Sequence, residues 1–170
     1  MNDIKIRLAT LEDVSGIMPI FAQIVDYHAS IDSEVYTDAD MSAFEQSVQD
    51  QLTKDNWKIF VAETNKKIVG FLTLQMRSNR RQWGNVADTD GRIDCLAVDE
   101  NYRHMGIGTK LMAEVENYLK SQGIFEMRLT VSIHNPNAIK CYEKMGMPGL
   151  RLCTRGRYAP RKMPGMQGPR

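Results

Sequence analysis

The chain has 170 residues and 42% hydrophobic composition, enough for one globular domain with a substantial core and too short for two generous ones. Its net charge of +1 conceals a cancellation: nine acids and no Lys or Arg lie between Leu11 and Thr53, while the last twenty residues carry six basic residues and no acid. No apolar run approaches the ~20 residues of a membrane span, and Met1-Asn2-Asp3-Ile4-Lys5 lacks a signal peptide's apolar stretch, so the sequence predicts a soluble cytoplasmic protein with no membrane partner.

Ile4, Ile6 and Leu8 alternate with polar residues as in a first strand, and Thr10-Leu11-Glu12-Asp13 reads as a capping box opening a helix. Val14, Ile17, Met18, Phe21, Ile24 and Val25 form that helix's apolar face, with an irregularity expected near Met18 because Pro19 lacks a backbone donor. A second helix follows Asp40, with Met41, Phe44, Val48 and Leu52 at helical spacing. Lys58–Glu63 and Lys67–Gln75 read as strands joined by a short turn into an antiparallel hairpin. The polar segment from Arg77 to Gly91 predicts a loop, and Arg92–Val98 a further strand. Gly106 to Gln122 is a helix with Ile107, Leu111, Met112, Val115 and Leu119 on one face; Phe125–Val131 is a strand; Asn135-Pro136 opens a last helix that Gly146 ends. A terminal strand is expected from about Gly149 to Arg157. The prediction is therefore an α/β (α+β) fold, a mixed, mostly antiparallel sheet of six to seven strands with helices on both faces. One domain over residues 1–158 would be followed by a disordered basic tail at 159–170.

Cys95, Cys141 and Cys153 are odd in number and show no C-x-x-C spacing, and His28, His104 and His134 are scattered, so neither a disulfide framework nor a metal centre is expected. The informative stretch runs from Ile93 to Gly108. A strand passes through a short polar loop into Arg103-His104-Met105-Gly106-Ile107-Gly108 at the start of a long helix, where unpaired backbone N–H groups converge and can bind phosphate. A dinucleotide fingerprint is disfavoured because the third glycine is missing, and a P-loop because Gly-Lys-Ser/Thr is absent.

Strand, Arg-x-x-Gly-x-Gly and helix, followed by Asn135-Pro136-Asn137-Ala138-Ile139-Lys140-Cys141-Tyr142-Glu143-Lys144-Met145-Gly146-Met147, resembles the GCN5-related N-acetyltransferase superfamily over roughly residues 3–157. Met147 stands where that family usually has Phe. The resemblance implies an acetyl-coenzyme A (acetyl-CoA) site: Arg103, His104, Met105, Gly106, Ile107, Gly108 and Thr109 at the pyrophosphate, Leu96, Ala97 and Val98 along the pantetheine arm, and Asn135 beside it. It also implies direct attack of an amine on the thioester in a ternary complex. Tyr142 matches the tyrosine that protonates the departing thiolate, although a core aromatic would occupy the same place. Asn135 is equally a good helix cap.

For the general base, Asp94 comes first, on the reading that Arg92, Asp94 and Leu96 share one strand face; His28 is second, and water without a dedicated base is the third option. The acidic run would attract cationic amines, with Asp26, Asp32 and Glu34 as candidate substrate contacts, although a solvated acidic helix pair explains most of the nine acids equally well. The leading expectation is acetylation of a small cationic amine. Acetylation of a protein N-terminus or lysine is the second reading, and an acyl-CoA sensor without turnover is a third of another class. The basic tail lacks interleaved aromatics beyond Tyr158, so nucleic acid is not an expected partner. A homodimer paired through the last strand fits the resemblance.

Overall fold

The computed structural model describes residues 3–31, 40–79, 88–132, 134–146 and 159–162. Strand β1 (Lys5–Leu8) leads into a 3-10 turn (Leu11–Asp13) and helix α1 (Val14–Ile31), then α2 (Met41–Leu52), β2 (Trp57–Thr64), β3 (Lys67–Asn79) and β4 (Asp88–Val98). A second 3-10 turn (Glu100–Tyr102) precedes α3 (Ile107–Ser121), β5 (Glu126–Leu129), α4 (Pro136–Lys144) and β6 (Ala159–Lys162). The strands lie side by side in chain order in one six-stranded sheet, antiparallel throughout except that β5 runs parallel to β4. That parallel pair is joined by the long crossover that parallel neighbours require, here through α3.

Two apolar layers sandwich the sheet. Val14, Ile17 and Ile20 of α1 and Val48 of α2 pack on Ile59, Val61, Phe71 and Ala97, while the rings of Phe21 and Phe44 stack to join the two helices. Ile107, Leu111, Met112, Val115 and Leu119 of α3, with Tyr142 of α4, cover Phe60, Leu72, Leu74, Ile93, Met127 and Leu129 on the other face. The mixed sheet with helices on both faces is thus the expected one. Its bulk through Gly146 supplies five strands rather than six to seven, and the sixth, β6, comes from the segment expected to be disordered. The expected strand at 149–157 falls outside the described residues.

Other local expectations change for physical reasons. Helix α1 is continuous across Pro19, and its irregularity is the 3-10 turn before it. There the Asp13 carboxylate accepts from the Thr10 backbone N–H at 2.8 Å, half of a capping box. The Thr10 hydroxyl donates to the same carboxylate at 3.1 Å, and Arg7 holds both of its oxygens at 2.7 and 2.8 Å. The β2–β3 turn is a tight one, with Asn65 and Lys66 both left-handed (φ 49° and 62°), the geometry that matches strand twist. The loop expected from Arg77 to Gly91 is shorter, because β3 runs on to Asn79 and β4 begins at Asp88. Polar residues are tolerated in this sheet extension because fully buried Asp90 is flanked by two guanidiniums, those of Arg77 and Arg128, each at 3.2 Å.

Candidate functional site

Strand β4 carries a bulge. Thr73 of β3 opposes Cys95 and Leu74 opposes Ile93, so Asp94 is the extra residue. An unbroken alternation would put Ile93, Cys95 and Ala97 on one face. Instead Ile93 lies against α3 together with Leu96 and Val98, while Cys95 and Ala97 lie against α1. The expectation that Arg92, Asp94 and Leu96 share a face is therefore wrong for Leu96, although the Arg92 guanidinium does reach Asp94 at 3.5 Å. The bulge turns Asp94 outward, 43% exposed, at the bend of the central strand.

The parallel ladder of β4 with β5 stops beside this bulge. Their ladder ends at the pair Ile93–Leu129, whereas β4 continues to Val98, so its last residues have a peptide edge that the parallel ladder does not use. Leu96 and Val98 are half-buried and Ala97 is buried along this edge.

Beyond the edge, Asp99 accepts from the Asn101 N–H at 3.0 Å and pairs with Lys67 Nζ at 3.0 Å, which fixes the 3-10 turn. Arg103 Nε donates back to the Val98 carbonyl at 3.2 Å, leaving its side chain exposed at the strand end. His104 and Gly106 are both left-handed, at φ 65° and 77°. Gly106 is the N-cap of α3 and offers no side chain, so the first-turn amides of Ile107, Gly108 and Thr109 lack a cap and face outward with the positive end of the helix dipole. Exposed Met105 and Thr109 flank them. A Cβ at Gly108 would meet only Met145 Cε, at 3.8 Å, so among the described residues no neighbour requires glycine there. These donors suit a pyrophosphate, and the β4 edge beyond the β5 ladder suits an amide-bearing arm.

Across the gap stands α4. Its N-cap Asn135 is buried, and Oδ1 accepts from Ala138 N–H at 3.0 Å and from the Tyr27 hydroxyl at 3.2 Å. Tyr142 projects from the same helix into the apolar layer under the opening and is 9% exposed. Its hydroxyl has no hydrogen-bond partner among the described residues. Burial, with Cys95 and Cys141 nearby, pushes its phenol well above the ordinary tyrosine value. The Cys95 thiol is likewise pushed up to about 12, by burial and then by the charge of Asp94. Burial also raises the Cys141 thiol, against a smaller opposing influence of Lys144. Half-buried His28 on α1 is shifted down by burial, which favours neutral imidazole, the form that can accept a proton.

Of the candidate substrate contacts, Asp26 is exposed, on the side of α1 away from Ile17 and Ile20, and so is not gathered with Tyr27 and His28. Asp32 and Glu34 lie outside the described residues. Two surface hollows, of about 360 and 350 Å³, lie elsewhere: one between α2 and Trp57, the other between α1 and the β2–β3 turn. Neither includes the strand edge or the first turn of α3.

Four residues that the sequence did not single out hold this site: Gln23, Tyr27, Lys67 and Asp99. Gln23 Oε1 accepts from Glu100 N–H at 2.9 Å. Its i, i+4 spacing with Tyr27, beside an apolar stripe, is the one signal that could have revealed the pair.

A mixed sheet whose parallel ladder stops short of the end of β4, beside an uncapped helix N-terminus, agrees with the fold expected above. The chain belongs to the acetyltransferase (GNAT) family, whose model matches residues 21–147. It is 31% identical over 97 residues to an N-alpha-acetyltransferase of Sulfurisphaera tokodaii, covering 55% of this chain and 58% of that one. It is 28% identical over 135 residues to an uncharacterized N-acetyltransferase of Methanocaldococcus jannaschii, covering 76% and 80%. The chain spans about half the length of the first curated relatives it matches. In fold it superposes on the PaiA N-acetyltransferase of Thermoplasma acidophilum in complex with coenzyme A, at a TM-score of 0.75 and 18% identity over 95% of this chain and 99% of that one.

Proposed function

We propose that this protein transfers an acetyl group from acetyl-CoA to a primary amine, by direct attack within a ternary complex. The observation that carries the reading is the opening itself: an edge of β4 that the β5 ladder leaves unused among the described residues, leading to the uncapped first turn of α3. Acetyl-CoA brings an activated thioester. The amides of residues 106–109 and the charge of Arg103 hold its pyrophosphate. The β4 edge from Leu96 to Val98 pairs with its pantetheine arm, and a backbone N–H there polarises the thioester carbonyl, a contribution on the order of 3–4 kcal/mol in comparable oxyanion sites.

Tyr142 is the proton donor to the leaving sulfur. Burial keeps the phenol protonated, and the same desolvation raises the proton affinity of a thiolate formed beside it, so the two stay matched. Asp94, turned out of the strand by its bulge, is the first candidate to take the amine's proton, with neutral His28 the second. Direct attack is favoured over an acyl-cysteine because both described thiols, Cys95 and Cys141, are shifted away from the thiolate form.

The acceptor we propose is a small cationic amine, drawn by the acidic first third of the chain. The N-alpha-acetyltransferase relative favours a second reading, a peptide N-terminus. The test follows thiol release from acetyl-CoA with a polyamine, an aminoglycoside, free amino acids and peptides side by side. Turnover restricted to peptides with a free α-amine selects the second reading. Release with none of them, in a protein that binds coenzyme A, selects a sensor.

A further inference from the structure

Helix α1 is tied to both sides of the opening. One helical turn apart, Gln23 accepts from the backbone N–H of Glu100, where β4 hands over to the phosphate loop, and Tyr27 donates to Asn135, at the head of α4 beyond β5. The Tyr27 hydroxyl also accepts from Asn137 Nδ2 at 3.4 Å. Asn135 Oδ1 is thereby saturated by two donors, the Ala138 N–H and the Tyr27 hydroxyl. With Oδ1 committed, the orientation of the carboxamide is fixed. Its Nδ2, which has no partner among the described residues, is left as an unused donor at the head of α4.

We propose that Tyr27 is a positioning residue for the cofactor arm: through Asn135 it aims a carboxamide N–H into the opening, and with Gln23 it braces the two walls at a fixed separation. The inference rests on the acetyl-CoA reading above and adds a role for a residue on the acceptor-side helix. Tyr27 touches no reacting atom. It acts through Asn135, and it makes the helix that lines the acceptor side a structural part of the cofactor site.

The test is calorimetric titration of coenzyme A into the full-length protein and its variants. Tyr27→Phe keeps the ring and loses only the hydroxyl, and should weaken coenzyme A binding about five- to twentyfold while the melting temperature barely moves. Asn135→Asp keeps both acceptor contacts and the helix cap but loses the Nδ2 donor. It should weaken binding at least as much, and adding Tyr27→Phe to it should have a smaller effect than Tyr27→Phe has alone. A Kd within twofold of wild type for Tyr27→Phe, or independent multiplicative effects in the double variant, overturns the positioning role while leaving the acetyl-CoA reading intact. Wild-type protein that fails to bind coenzyme A at millimolar concentration overturns that reading and, with it, this inference.

Discussion

At the scale of single residues, burial of Tyr142 and pairing of Asp13 show opposite uses of the same electrostatics. The phenol of Tyr142 is kept neutral by desolvation, as the proposed proton donor requires. Tyr142→Phe should lower kcat about a hundredfold or more with coenzyme A affinity nearly unchanged, as steady-state rates and a binding titration would show. Wild-type turnover in the variant would reject the acid role. Asp13 instead is held down to about 2 from 3.8, first by hydrogen bonding to Arg7 and then by Thr10 against the cost of burial. A carboxylate whose folded value is depressed stabilises the fold above its unfolded value, and that contribution fades as pH falls through the folded one. Acid titration of thermal stability should therefore show a loss of about 2 kcal/mol between about pH 4 and pH 2 from this group. Arg7→Met should flatten that segment of the curve, and an unchanged curve would show that the pair contributes nothing.

The elements divide the labour between rigid support and an exposed terminus. Helix α3 is fastened by Ile107, Leu111, Met112, Val115 and Leu119, all buried, so its first turn is presented by a well-packed rod. Its two glycines then serve different ends. Gly106 has φ 77° with nothing within 4 Å of a Cβ, so alanine there meets backbone strain of roughly 1–2 kcal/mol and no clash. Gly108 is helical with ordinary room for a Cβ. Gly108→Val should thus melt close to wild type yet lose the stabilisation conferred by coenzyme A. Gly106→Ala should melt lower even without ligand. Paired melting curves with and without ligand distinguish the two, and an unimpaired ligand shift in Gly108→Val would remove the phosphate from this turn.

For the whole molecule, the opening joins parts far apart in the chain: the end of β4, the start of α3, the head of α4 and one face of α1. A ligand that bridges them should stabilise the native state as a unit. At a hundredfold excess over Kd the gain is about 2.7 kcal/mol, or ~5–10 °C in Tm for a domain of this size. Acetyl-CoA should produce that shift, and adenosine diphosphate, which reaches only the α3 end, should give a smaller one. Equal shifts would place the cofactor arm outside the β4–β5 gap. The sheet also reaches further along the chain than its composition suggests, because Ala159–Lys162 pairs with β5 and covers what would otherwise be an open edge.

The sequence by itself determined the family and most of the elements. Apolar periodicity fixes α1, α2 and α3, and the sparse glycine pattern at Gly106 and Gly108 marks the start of α3, because these are local consequences of side-chain spacing and backbone freedom. Tertiary structure alone decided three further matters. The bulge at Asp94 reverses the faces of Leu96 and Cys95, since register depends on the partner strand β3 and not on alternation within β4. The polar residues around Asp90 join the sheet because guanidiniums from two other strands neutralise a charge that no local pattern pairs. Tyr27 and Asn135 meet across 108 positions of chain, and a hydrogen bond between such distant residues exists only once packing of both helices on the sheet has brought them together.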